Sequence, residues 1–287
     1  MKVDVIFVTH NHENIIKDCY DKVKKELKES KHRLFFVDNC STDGTLEELH
    51  KIYEDDEDRV RIIKLSKQTS FNSCVISALN YSKNEYAVVY DLDLDLDCNV
   101  SLKELVSFLK ENNQYDSICL CRKIKDENFF KKTYKKLVNK INFYNHIDGL
   151  TNFRVFNKKM INALVTHSKD NEIHNYTFDN VGFNIYYDNI NCDNLYEEKI
   201  FVSDFLKPII TSICIGTACF VSFIVTLIAS FFVKFNLCVF TLLLLFLISG
   251  FIFILIGIVG RNLLKHIYKM EPNFIIKERI GFDEKVL

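Results

Sequence analysis

"VVYDLDLDLDCN", residues 88–99, is the stretch whose reading decides the fold. Asp91, Asp93, Asp95 and Asp97 alternate with leucines behind an apolar run. Strict alternation is the pattern of a half-buried strand. Aspartate is a poor strand former, however, and carboxylates in one row repel each other. The better reading ends the strand at Tyr90 or Asp91 and leaves the acids at its carboxyl tip. Asp97 then belongs to a loop, just before Ser101 and Glu104, which are spaced as a helix capping box.

Outward from this stretch, the same arrangement recurs upstream. "VDVIFVT" (3–9), "HRLFFVDN" (32–39) and "VRIIKLS" (60–66) are short apolar runs. "IIKDCYDKVKKELKE", "TLEELHKIYEDDED" and "NSCVISALNYSK" alternate with them at helical spacing. This β-α order predicts an α/β domain with a parallel sheet and right-handed crossovers. Ligands in such sheets sit beyond the carboxyl ends of the strands. Those ends carry Thr9-His10-Asn11, Asp38-Asn39, the residues from Ser66 onward, and Asp91-Leu92-Asp93. Asp38, Asp91 and Asp93 on one sheet edge suit a hard divalent cation, Mg2+ or Mn2+, bridging the phosphates of a nucleotide. Neither GxGxxG nor GxxxxGK[ST] occurs, which excludes dinucleotide and P-loop readings. His10 and His12 read as polar loop residues beside a nucleotide, with metal ligation as the alternative. His146 with Asp148 could form an acid–base pair, and a plain surface role is the other reading.

The chain has 287 residues and a formal net charge of −1, which gives no pull toward nucleic acid. From 209 to 259 the only charged residue is Lys234. Residues 209–233 and 237–259 are each long enough, at ~1.5 Å per residue, to cross a ~30 Å hydrocarbon layer. Lys199, Lys207, Arg261, Lys265 and Lys269 flank this pair, so the positive-inside rule predicts a multi-pass inner-membrane protein with both termini cytoplasmic. No secretory signal is expected in "MKVDVIFVTHNHEN". The ten cysteines fit no zinc spacing and read as reduced thiols in a reducing compartment.

"VIFVTHNHENI", "FFVDNCSTDGT" and "NEYAVVYDLDLD" together resemble the three signatures of family 2 glycosyltransferases of the GT-A fold. "TNFRVFNKKMINAL" (151–164) resembles the family's Phe-Arg segment. "RNLLKHIYKMEPNFIIKERIGF" (261–282) resembles the tail of its polyprenyl-phosphate branch, which includes dolichol-phosphate mannose synthases and undecaprenyl-phosphate sugar transferases. The resemblance implies a GT-A domain over 1–200, two transmembrane helices within 208–260, and a cytoplasmic tail over 261–287. It implies that Thr9, Asn11, Glu13, Asp38, Asp43, Ser70, Asp91 and Arg154 serve the nucleotide donor. It further implies that Asp91 and Asp93 form the Asp-x-Asp pair, with the register Asp93-x-Asp95 as the alternative, that Asp95 joins them on the metal, and that Arg122 contacts phosphate beside Asp91 and Asp93 in catalysis. The sequence departs from the family pattern at His12, Asn39, Ser70-Phe71 and Asn152.

The implied activity is that of an inverting, membrane-anchored hexosyltransferase. It would carry a sugar from a nucleotide-sugar donor to a polyprenyl phosphate. A phosphate monoester is largely dianionic at pH 7 and attacks without a general base. Two rival readings stand beside this one: transfer to a hydroxyl of a glycolipid or cell-wall polymer, and a pseudoenzyme scaffold for surface-polysaccharide assembly. "ENFFKKTYKKLVNKINFY" (127–144) reads as an interfacial amphipathic helix or as an ordinary surface helix. The pattern is compatible with a homo-oligomer.

Overall fold

The apolar runs form strands because their β-branched and aromatic residues pack on both faces of a pleated sheet. A computed structural model describes residues 2–95, 100–122, 150–170, 182–190, 206–230, 237–267 and 274–282. The first half of the α/β part runs β1 (Lys2–Thr9), α1 (Ile16–Glu26), β2 (Lys31–Asp38), α2 (Thr45–Asp55), β3 (Val60–Leu65), α3 (Phe71–Leu79) and β4 (Tyr86–Tyr90). A single helical turn α4 (Leu92–Asp95), α5 (Leu102–Glu111), β5 (Ser117–Arg122), β6 (Leu150–Asn157), α6 (Lys158–Asp170) and β7 (Ile185–Ile190) follow. Two long helices, α7 (Leu206–Ser230) and α8 (Leu237–Ile267), precede a last strand, β8 (Ile276–Ile280).

The eight strands form one sheet in the order β7-β5-β6-β4-β1-β2-β3-β8. β1 pairs in parallel with β2 and β4, as does β2 with β3 and β5 with β7. β6 is antiparallel to β4 and β5, and β8 is antiparallel to β3. The chain steps from β1 to β2 and β3 on one side, then crosses to β4 on the other. Such a reversal is where open α/β sheets place their ligand crevice, here at the carboxyl ends of β1 and β4.

Helices α1 and α5 cover one face, over Val5, Phe7, Phe36, Val88 and Tyr90. Phe7 stacks on Phe36 with centroids 4.7 Å apart, and Tyr90 lies 5.1 Å from Phe7 and 5.4 Å from Phe153. Helices α3 and α6 cover the other face, over Ile6, Phe35, Val37, Ile63 and Val89. At the amino end of β1, the fully buried Asp4 accepts both Arg33 Nε (2.9 Å) and Arg33 Nη2 (2.8 Å). The same carboxylate accepts Ser82 Oγ at 2.7 Å, Asn84 Nδ2 at 2.7 Å, and the amides of Lys83 and Asn84.

The capping box at α5 is present in its forward half: Ser101 Oγ accepts the Glu104 amide at 3.4 Å. No disulfide joins any of the eight described cysteines.

The α/β elements, with β8 among them, form one compact unit, and α7 with α8 forms a second. The sequence reading set 261–287 apart as a tail. Instead α8 continues past Arg261 and Lys265 to Ile267, and residues 276–280 are the edge strand of the sheet. The partner of β8 lies more than two hundred residues upstream, which local pattern cannot reveal. Within the helical unit, Thr211–Ser230 and Cys238–Gly260 are long and apolar enough to cross a membrane. Their outward side chains, such as Val221, Val225, Leu245 and Phe251, are at least 60% exposed. The expected interfacial helix 127–144, the His146–Asp148 pair and the turn around Lys234 lie outside the described residues.

His32 is buried, with Nδ1 on the Ser30 carbonyl at 2.8 Å and no hydrogen-bond partner for Nε2 among the described residues. Burial, with Arg59 nearby, holds its pKa below the ordinary 6.5. The unfolded chain then binds the extra proton first, so stability is full above that value and falls as pH drops below it. Thermal melts of the full chain from about pH 7.5 to about 5.5 should show this fall, and His32→Gln should flatten it.

Candidate active site

Sheet register gathers the candidate residues at one edge. Thr9 pairs with Asp38, and Phe7 pairs with Tyr90, so Asp91 follows β4 at the level of the β1 exit. Arg122 ends β5, which runs parallel to β1 through two antiparallel steps. β6 and β8, being antiparallel, enter the sheet at this same edge.

The alternation at 91–95 is resolved by α4. Leu92 and Leu94 are both buried, and the Leu94 amide donates to the Asp91 carbonyl at 3.2 Å. Asp91 Oδ2 accepts the backbone N–H of Asn152, at the mouth of β6, at 3.0 Å. A charge-assisted bond of this kind orients the carboxylate at the crevice. Substitution of an acid by Asn152 therefore leaves the holding contact intact, because the contact is made by the backbone. The side chains of Asp93 and Asp95 lie outside the described residues.

The β1–α1 and β2–α2 loops are laced together. Asn11 (φ 59°) and Cys40 (φ 60°) are both left-handed, a conformation that Asn tolerates better than most residues. Asn11 Oδ1 accepts the Thr42 amide at 2.8 Å, and the Asn11 amide donates to Ser41 Oγ at 3.1 Å. Asp38 is 1% exposed, and its Oδ1 accepts the Ser41 amide at 3.2 Å. Asp43 accepts Thr45 Oγ1 at 2.6 Å, the Thr45 amide at 3.1 Å and the Glu13 amide at 3.3 Å. The Thr45 hydroxyl in particular holds the Asp43 carboxyl below its ordinary value.

Several candidates are engaged within the protein. Glu13 Oε2 accepts the Gly44 amide at 3.0 Å, at the start of α2. A Cβ at Gly44 would lie 2.6 Å from Glu13 Cδ, so glycine is what lets the carboxylate reach. Thr9 is fully buried and its hydroxyl donates to the Val37 carbonyl at 3.2 Å. Ser70 caps α3, accepting the Ser73 amide at 3.2 Å. Arg154 is 7% exposed within β6, opposite Val89 and Cys119. His10 Nδ1 meets the Asn39 carbonyl at 3.0 Å, and His12 Nδ1 accepts the His10 amide at 2.9 Å. No group of three metal-ligating side chains occurs among the described residues.

Sequence reasoning flagged Asn39 only as a departure. The structure gives it a specific use: its Nδ2 donates to the Thr69 carbonyl and its Oδ1 accepts the Thr69 amide, both at 2.9 Å. An ionised aspartate could accept but not donate there. The partner is backbone, so no side-chain motif could have announced it.

Residues 4–189, running from β1 through β7, match the profile described as Glycosyl transferase family 2. The chain belongs to glycosyl transferase family 2. This family 2 chain is 25% identical over 201 residues to CsbB of Bacillus subtilis (strain 168), a protein named as a glycosyltransferase, covering 67% of the chain and 60% of CsbB. It is 26% identical over 160 residues to YkcC of the same strain, likewise named, covering 54% of the chain and 46% of YkcC. The chain thus spans 60% or less of the length of these relatives. Among solved structures, the mannosyltransferase PcManGT of Pyrobaculum calidifontis, in complex with GDP-Man and Mn2+, aligns with a TM-score of 0.43 at 15% identity, over 92% of this chain and 78% of that one. Glucosyl-3-phosphoglycerate synthase of Mycobacterium tuberculosis, with Mn2+ and UDP-glucose, aligns with a TM-score of 0.46 at 13% identity, over 69% and 73%.

Asn39→Asp should destabilise the chain by about 1–3 kcal/mol at neutral pH, because the Thr69 carbonyl would face a carboxylate. Below about pH 4 the protonated acid regains a donor, so the gap to the wild type should narrow. Urea unfolding of both chains at the two pH values measures it.

Proposed function

We propose that this chain is an inverting hexosyltransferase that moves a sugar from a nucleotide-sugar donor to a polyprenyl phosphate at the cytoplasmic face of a membrane. One observation carries the reading. The edge that gathers Asp38 and Asp91 is also the edge where β7 ends before the two apolar helices and where β8 begins after them. An acceptor borne by a membrane suits a site whose own edge gives rise to both helix connections.

In this reading Asp38, within the laced loops of Asn11 and Asp43, receives the nucleoside end of the donor. Asp91, fixed by the Asn152 amide, lies where the diphosphate ends. Asp91 with Asp93 and Asp95 would hold Mg2+ or Mn2+, which would supply positive charge to the departing diphosphate. Carboxylate oxygens at a sheet tip are the donor type such a cation takes. Arg122, at the end of β5, adds a fixed cation at the same edge. An acceptor phosphate oxygen attacks the anomeric carbon, the carbon–oxygen bond to the diphosphate breaks, and the nucleoside diphosphate departs with the electron pair. The acceptor needs no base, which agrees with an amide side chain at Asn152. Basic residues flanking the helix pair favour a cytoplasmic site. The return of β8 to the sheet of β1 supports both flanks of that pair lying on one side of the membrane.

Membranes containing the full chain, Mn2+, undecaprenyl phosphate and a panel of labelled nucleotide sugars should yield an acid-labile lipid product. Asp91→Asn keeps the shape and should lower kcat by about 10²–10³. Product on a polymer hydroxyl alone would favour the hydroxyl acceptor. Nucleotide binding with no product from any donor would favour a scaffold.

A further inference from the structure

β3 leaves the sheet at Leu65 and enters the loop 66–70, whose last residue starts α3. Toward the crevice this loop is held by Asn39 on both backbone groups of Thr69. Cys40 Sγ, on the Leu65 carbonyl at 3.4 Å, and Gln68 Nε2, 3.4 Å from His10 Nε2, add to that hold. On its other flank lies β8. The Ser66 amide donates to the Ile275 carbonyl at 2.9 Å, just beyond the last ladder pair, Leu65 with Ile276. The ladder shifts register between Lys64 and Leu65, so the strand is re-aimed where it meets the loop. Phe274 and Ile276 pack on the core that α3 also covers. The far end of β8 is pinned separately, by Phe282 against Tyr81 (4.7 Å) and Phe35 (6.2 Å).

We propose that β8, the strand following the two apolar helices, is a positioning element that holds loop 66–70, and through it Asn39 and His10, in register for the donor nucleotide. This rests on the donor reading above. The loop has no ladder of its own, so its place is set by clamps on its two flanks: Asn39 on one, the Ile275 carbonyl on the other. Loosening the second clamp lets Thr69 and its Asn39 partner drift, which costs nucleotide affinity without touching Asp91.

The test uses the full chain in detergent. Phe274→Ala with Ile276→Ala loosens the loop end of β8, and Phe282→Ala loosens the far end. Amide exchange at Ser66 and the affinity for UDP and for GDP, each with Mn2+, are measured. The double variant should lose protection at Ser66 and bind the preferred diphosphate about fivefold or more weakly. Phe282→Ala should lower the melting temperature and leave both readouts at wild-type values. Equal weakening by both variants overturns the proposal, since β8 would then act through general stability. Exposure of Ser66 without loss of affinity also overturns it. A wild-type chain that binds neither diphosphate sinks the donor reading and this role with it, a failure recognisable because no variant is needed to see it.

Discussion

Everything at the crevice depends on a bond network at the opposite end of β1. Asp4 is a buried carboxylate that accepts from Arg33 on β2 and from Ser82, Lys83 and Asn84 before β4. Removing one partner of such a charge leaves the other buried and costs ~3–5 kcal/mol. The network therefore locks β2, β1 and β4 in one register. A slip by one residue would turn every side chain of a strand to the opposite face. With the register fixed, Thr9 must stand beside Asp38 and Tyr90 beside Phe7, and the two acids arrive at one edge. The charge that organises the site is thus far from it and takes no part in its chemistry.

The alternating α/β order was legible because each strand is an apolar run with turn residues at its end. The acids at 91–95 were legible as a tip and not a strand, since aspartate resists a pleated row. What the alternation concealed was the reason for Leu92 and Leu94: in a helical turn both reach the core. Asn39 and Asn152 looked like losses because a motif compares side chains. The Asn39 amide grips the backbone of Thr69, and at Asn152 it is the main chain that holds Asp91. Glu13, Thr9 and Ser70 looked like ligand contacts, and their described bonds go to Gly44, Val37 and Ser73. Strand β8 was illegible because five residues after an apolar helix carry no sign of a partner so far upstream.

The helical unit follows different rules. Its outer faces are apolar, and on its inner side two glycines let the helices approach closely. A Cβ at Gly216 would lie 3.1 Å from the Gly250 carbonyl, and one at Gly250 would lie 3.3 Å from the Gly216 carbonyl. Such close approach would pair the helices in a lipid environment, where apolar surface alone does not drive helices together. Gly216 and Gly250 thus face each other across the helix pair.

The placement of β8 also orders events in time. During synthesis β3 is made early, and its free edge has no neighbour until residues 276–280 emerge. An unpaired edge of buried-type residues invites association with other chains. Both apolar helices leave the ribosome before that neighbour does. Chain order therefore makes the strand that closes this edge available only after both helices have been made.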